Sequence, residues 1–373
     1  MLNLYPDDYW GNENLSQAYL LNGDFKQSKK YKNICAKLRP NYVVNHSDLG
    51  VNALFLDGDI NKAYQEFSRV NELNPNYPFE FPHLADAFLN WMQGDLDSAN
   101  VQIEDFLSSR INKLLPTFQI TSRLFVSHYF IFIGKFDDAL ELLEESVTLS
   151  NQRPKQNLIP WTRLELALFY WEMGQVENFE SMMKSAAASS VGIAQVQALG
   201  WLAIQYARSG KINTAKKLLN ELRKEDRVMP VGIIQQPLKS ELARAKKAFG
   251  NQIEGEIAFV NGNTNQAIKY CNKVIKLVPK SYLPELTALN PRIRWVALRS
   301  LALIYEKMGN WDSAIAAYQK IINEKILVIT VPAASNIWVK TLLSISKAFE
   351  KKGDFSQAKT YRKKYKRLRL SER

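Results

Sequence analysis

The sequence predicts an all-α chain built from stacked antiparallel helix pairs. Three recurring columns of residues predict it. A glycine returns at positions 23, 58, 94, 134, 174, 210, 262, 309 and 353, with spacings of 35, 36, 40, 40, 36, 52, 47 and 44. An alanine sits five residues after seven of these nine glycines, although the chain has only 32 alanines in 373 residues. Seven before each glycine the residue is small at every position but one. The phrase GDFKQSKKY from Gly23 returns as GDFSQAKTY from Gly353. Such internal periodicity marks a repeat architecture.

Taken in order, the first unit places Ser16 and Tyr19 before Gly23 and Ser28 after it. The second has Val51 and Leu54 before Gly58, then Ala63. The third has Ala87 and Asn90 before Gly94, then Ala99, and the fourth Ser127 and Phe130 before Gly134, then Ala139. The fifth has Ala167 and Tyr170 before Gly174 but Phe179 in the small position. The sixth reads Ala203, Tyr206, Gly210, Ala215, and the seventh Gly255, Ala258, Gly262, Ala267. The eighth reads Ala302, Tyr305, Gly309, Ala314, and the ninth Ser346, Phe349, Gly353, Ala358.

Each column has a helical meaning. Residues seven and four before the glycine are three apart and share a helix face. The glycine ends that helix by accepting the left-handed conformation. Three residues later a residue able to cap a new helix is expected: Asn61, Asp97, Asp137, Asn213, Asn265, Asp312 or Ser356. Small residues on either side of the turn let the two helices approach closely. A hairpin cannot bury its own apolar face, so the units are expected to stack.

Composition narrows the function classes. Forty-six per cent of residues are hydrophobic and 23% charged, which suits a folded chain. The two cysteines, Cys35 and Cys271, form no disulfide framework and read as small core residues. The N-terminal MLNLYPDDYW lacks the features of a secretory signal, and the most apolar stretches, 129–133 and 326–331, are too short to span a bilayer. A cytoplasmic location is therefore expected. Net charge is +12 but uneven: residues 1–200 hold 16 Lys/Arg and 24 Asp/Glu, and residues 201–373 hold 33 and 13. That asymmetry bears on partners.

These columns resemble the tetratricopeptide repeat, a helix–turn–helix unit of about 34 residues ending in proline. Pro40, Pro75 and Pro279 fall 17 residues after their glycines, where the family's terminal proline stands. The resemblance covers nearly the whole chain and implies a right-handed α–α superhelix of about nine hairpins. It departs at Phe179, expected to re-angle the fifth hairpin, and in the longer late spacings. Extra residues at 226–237, 280–291 and 325–335 are expected as longer helices or projecting loops. The apolar, β-branched 326–331 is the place where a short extended segment is expected. Three parts are expected: 1–9 as the end of a preceding repeat, 10–225 as repeats one to six, and 226–373 as repeats seven to nine with a basic C-terminal helix. The NLYPDDYW of residues 3–10 reads like the unit ends at 37–44 and 72–79, so the chain is expected to be the C-terminal part of a larger protein.

The resemblance implies a protein–protein interaction scaffold with a peptide or partner protein in a concave groove. It implies the regulatory or sensor region of a larger signalling or transcription-regulating protein. Family geometry puts the groove at ten, six and three residues before each glycine. The candidate residues are Glu13, Gln17, Asp48 and Asn52, then Leu84, Phe88, Trp91, Leu124, His128, Ile131, Leu164, Leu168 and Trp171, and finally Arg299 and Lys347. Glu13 and Asp48 stand where a carboxylate clamp of this family would carry basic or amide groups. The alternative is binding of nucleic acid or another anionic surface by the basic C-terminal half, where eight Lys/Arg fall within residues 359–373.

Chemistry-bearing motifs are lacking. No phosphate loop, His-Glu-x-x-His, Gly-x-Ser-x-Gly or metal-spaced cysteine pair occurs, so no cofactor, metal or catalytic residue is assigned. Ser181-Met-Met-Lys184 and Ser344-Ile-Ser-Lys347 match a short acyl-enzyme pattern without its companion motifs. His46, His83 and His128 fall in three different units, and His46 and His83 read as solvent-facing. Any catalysis is expected in another part of the parent protein.

Overall fold

The computed structural model describes residues 6–21, 24–153, 158–224, 235–278, 291–331 and 334–369. Among these every regular element is a helix. The hairpins, in order, are α1 (Tyr9–Leu21) with α2 (Phe25–Leu38), α3 (Val43–Asn52) with α4 (Ile60–Leu73), and α5 (Glu80–Gln93) with α6 (Leu96–Asp105). Then come α7 (Pro116–Ile133) with α8 (Phe136–Gln152), α9 (Ile159–Glu172) with α10 (Val176–Ala188), and α11 (Gly192–Arg208) with α12 (Ile212–Arg223). The last are α13 (Gln235–Val260) with α14 (Thr264–Leu277), α15 (Arg292–Lys307) with α16 (Trp311–Asn323), the one-turn α17 (Leu327–Thr330), and α18 (Ser335–Lys352) with α19 (Phe355–Leu368). Gly23, Pro279, the expected 225/226 boundary and almost all of 226–237 and 280–291 lie outside the described residues.

Every described column glycine ends its helix with positive φ. At Gly94 (φ 90°) and Gly353 (φ 91°) nothing lies within 4 Å of where a Cβ would stand. The left-handed backbone, not crowding, reserves these positions for glycine. The cap follows one residue after the glycine rather than three. Asp24, Asp59, Asp95, Asn263, Asn310 and Asp354 each accept the N–H of the residue three further on, at 3.0–3.2 Å. One left-handed residue reverses the chain so tightly that the next helix begins two residues on. The expected caps, Asn61 to Ser356, therefore sit inside its first turn.

The small columns face each other. Ser16 donates to the Ser28 carbonyl at 2.9 Å, and Ser346 to that of Ala358 at 2.8 Å. The aromatic column packs across the two helices near the turn: Tyr19 stacks on Tyr31 and Phe349 on Tyr361, each at 5.6 Å. Phe179 is fully buried and stacks on Trp171 at 5.9 Å. Both cysteines are buried, and burial pushes their thiols up to about 11 and about 12. His46 and His83 are half-buried rather than solvent-facing; His46 bonds Glu66 and the Pro40 carbonyl, and His83 the Tyr77 carbonyl.

The expected extended segment at 326–331 is instead the short helix α17. Leu327, Val328 and Val331 are buried. Among the described residues no strand pairs with it, and the backbone groups there are satisfied by local bonds, such as Val331 N–H to the Leu327 carbonyl at 2.9 Å.

The chain forms two compact units. Unit 1 comprises 1–122 with 232–238 and 281–287; unit 2 comprises 123–231, 239–280 and 288–373. In unit 1 the core is aromatic: Phe81 packs against Phe55 at 5.2 Å and Phe88 at 6.0 Å, all three buried.

Unit 2 closes on itself. Arg292 on α15 donates to Glu165 on α9 at 2.8 Å, across 127 residues, and both are buried. Phe132 on α7 stacks on Trp338 on α18 at 5.9 Å. Arg369, just past α19, is 2% exposed. It donates to the carbonyls of Ile131 and Phe132 in the last turn of α7 and to Asn336 Oδ1 at 2.9 Å. Those carbonyls lie at the negative end of the α7 dipole, so a buried guanidinium suits them.

Two consequences can be measured. Gly200 on α11 has no room for a side chain: a Cβ would lie 2.3 Å from Cδ1 of Phe249, itself buried and packed edge-on to Trp201 at 5.2 Å. Gly200→Ala is expected to cost about 1–3 kcal/mol in chemical denaturation. His128 on α7 is fully buried with no hydrogen-bond partner at either ring nitrogen. Burial, with Arg292 nearby, holds it well below its ordinary 6.5. The folded chain thus keeps His128 neutral while the unfolded chain protonates it. Its contribution to stability is present above 6.5 and falls by about 1.4 kcal/mol per pH unit below it. His128→Leu is expected to remove one proton's worth of this slope in melts between pH 7.5 and 5.5.

Candidate partner-binding face

The candidate face lies in unit 2, on the first helices of the fifth to ninth hairpins. Trp171 and Glu172 end α9. Gln205 and Arg208 end α11. Gln252 and Glu256 lie on α13, Arg299 and Ser300 on α15, and Lys340 on α18. Each comes from the inward layer because the small columns pack the second helices behind it.

Glu256 is the acceptor at one end. It takes bonds from Arg208, Ser300 and Gln252, each at 2.7 Å, and Arg208 also reaches Ser300 Oγ at 3.1 Å. Burial disfavours its ionisation, but the Arg208 charge and these three donors outweigh burial and hold the carboxyl below its usual value. Glu172 is the acceptor at the other end. Arg299 lies 3.4 Å and Lys340 Nζ 3.5 Å from its carboxylate oxygens, and Lys340 also donates to its carbonyl. Burial again opposes ionisation, and Arg299, Lys340 and Arg208 together reverse it. Burial lowers Lys340, with the Arg299 charge adding and Glu172 opposing. Trp171 lies between the two ends. Its Nε1 donates to Gln205 at 2.8 Å, and the guanidiniums of Arg208 and Arg299 stand 5.1 and 5.9 Å from its ring.

Three cations thus converge on two buried carboxylates around a half-buried indole. The cations stay accessible, with side-chain exposures of 23% for Arg208, 22% for Arg299 and 45% for Lys340. Their mutual bonds fix rotamers in advance, so a ligand would not have to order them.

Of the residues predicted from the sequence, Trp171 and Arg299 meet here. Leu124, His128, Ile131, Leu164 and Leu168 are buried in unit 2, and Leu84, Phe88 and Trp91 in unit 1. Glu13 and Asp48 both bond Lys32, at 2.6 Å each; Gln17 is exposed against Glu13, and Asn52 is buried. Lys347 is exposed on α18 and makes no bond to the cluster among the described residues. Sequence reasoning missed Lys32, Glu172, Arg208, Glu256 and Lys340. One signal was present: two before their glycines, adjacent hairpins carry Glu172 and Arg208, opposite charges at the same offset. Among the described residues no His/Cys/Asp/Glu group could hold a metal ion, and no helix is long and apolar enough to cross a membrane.

A family model described as tetratricopeptide repeat matches residues 297–325, most of the eighth hairpin (α15 from Ala297, the turn and α16). A search of curated proteins finds no match. Among solved structures, the Cut9–Hcn1 hetero-tetramer of the APC/C is 15% identical at a TM-score of 0.43, covering 92% of this chain and 56% of that one. This chain therefore spans little more than half of that protein's length. NprR in complex with its cognate peptide NprX is 14% identical at 0.42, covering 86% and 97%. A STAND protein with a tetratricopeptide-repeat sensor from Pyrococcus horikoshii is 13% identical at 0.39, covering 81% and 39%. The matched segment, residues 297–325, is a tetratricopeptide repeat holding Ala302, Gly309 and Ala314, and the same column geometry recurs in hairpin after hairpin of this helical solenoid.

Proposed function

We propose that this chain is a protein-interaction scaffold, and that the face around Trp171, Arg208, Arg299 and Lys340 receives an acidic segment of a partner protein. The observation that carries this is the surplus of charge: three accessible cations, held in place by only two carboxylates, beside an indole. A ligand carboxylate would complete the balance by charge-assisted bonds, and an apolar neighbour could lie on Trp171. Repeat proteins of this kind present their concave faces to partners. The aromatic stretch from Leu84 to Leu168 is buried, so Trp171 is the accessible aromatic residue of that series. On this reading the chain is the sensor or regulatory part of a signalling protein, and catalysis lies elsewhere in that protein.

The test is selection of random peptides on the wild-type chain, followed by titration calorimetry of the selected sequences. Enrichment in Asp and Glu, with at least a tenfold loss of affinity in Arg299→Glu/Lys340→Glu, is the expected result. Basic peptides, or unchanged affinity in the variant, would overturn it.

A further inference from the structure

We propose that the outer face of α19 is a sequence-independent binding surface for single-stranded nucleic acid. This does not rest on the groove reading and uses none of its residues. From 355 to 371 the sequence has no acidic residue. Along α19 the inward positions Ala358 and Tyr361 are buried, with Tyr361 stacked on Phe349 and donating to Gln319 at 2.8 Å. That anchoring turns the other faces to solvent. Lys359, Lys363 and Lys366 are exposed and make no ion pair among the described residues. They fall at i, i+4 and i+7, one ridge about 10 Å long. Lys364 stands 5.1 Å over the Tyr361 ring, and exposed Lys351 at the end of α18 extends the charged surface. Arg362 and Lys352 belong to the same surface but are paired with Glu350 and Asp312.

Magnitudes favour a phosphate backbone as the occupant. Ion pairs with a protein's surface carboxylates contribute about 0–1 kcal/mol each and demand matched geometry. A nucleic-acid strand offers charge at every register and releases condensed counterions as each is neutralised. Stable membrane docking adds an apolar element to the cations. On α19 the large exposed apolar residue is Phe355 alone, at the helix start. Phe355 is 71% exposed and could stack on a base at the end of the ridge.

The experiment is fluorescence anisotropy with labelled single strands of roughly 20 nucleotides, in several unrelated sequences, from about 50 to 200 mM salt. Four to five neutralised phosphates predict a log–log slope of about −3, equal for all sequences. Lys359→Glu/Lys363→Glu/Lys366→Glu should weaken binding more than tenfold and flatten the slope by about 2. Its melting temperature should be unchanged, since all three side chains are exposed. Arg299→Glu/Lys340→Glu should bind strands as the wild type does, which keeps this surface distinct from the groove. The proposal fails if the wild type does not bind, or if the triple variant keeps the wild-type slope. It also fails if a polyglutamate chain or a phosphatidylserine vesicle of matched charge binds more tightly than the strand. Those last outcomes would make α19 an acidic-protein or membrane surface instead.

Discussion

Arg292→Ala is expected to destabilise unit 2 by about 3–5 kcal/mol, the cost of breaking a buried ion pair from one side. Arg292 is 2% exposed and meets Glu165, itself buried. Burial already raises the Glu165 carboxyl against the pull of Arg292. Removing the guanidinium would leave that buried carboxyl without its charge partner and shift it further toward the protonated form. Arg292→Met with Glu165→Leu removes both charges and keeps volume. It should recover most of the loss, because a well-packed apolar pair is often as stable as the ion pair it replaces. Urea denaturation of the three variants measures this. An alanine variant as stable as wild type would mean that α9 and α15 do not meet.

Arg369→Ala is the second large effect, about 2–3 kcal/mol. Its guanidinium donates to the carbonyls of Ile131 and Phe132 and to the side chain of Asn336, and it packs over the rings of Phe136 and Tyr365. Arg369→Lys should recover only part of the loss. A lysine keeps the charge but cannot reach two carbonyls and an amide from one planar fork. Faster hydrogen exchange in the last turn of α7 in the alanine variant would locate the damage.

The repeats were legible because their signal is local. A glycine that must be left-handed and a small residue across each turn constrain the sequence within a dozen positions. The caps were misread by two places because both sites carry Asp or Asn: Asp95 caps α6, while Asp97 lies in its first turn. Closure of unit 2 was not legible. Glu165 and Arg292 are 127 residues apart, and nothing near either one names the other. The same closure explains why Leu164 and Leu168 are core. The family positions that would line an open groove face inward here, where opposite hairpins exclude water. Trp171 and Arg299 stay accessible because they lie at the carboxyl end of α9 and beyond the buried first turn of α15. Lys32, at a position in α2 where an apolar residue would be expected, has its reason only in Glu13 and Asp48, which arrive from α1 and α3.

The most direct test of closure is a double-mutant cycle at Glu165 and Arg292, using Glu165→Gln and Arg292→Met singly and together. Residues that touch couple, and residues on separate parts of a solenoid add. Closure predicts a coupling energy of about 2 kcal/mol or more between these two positions. Additivity within about 0.5 kcal/mol would contradict it and leave unit 2 an open array.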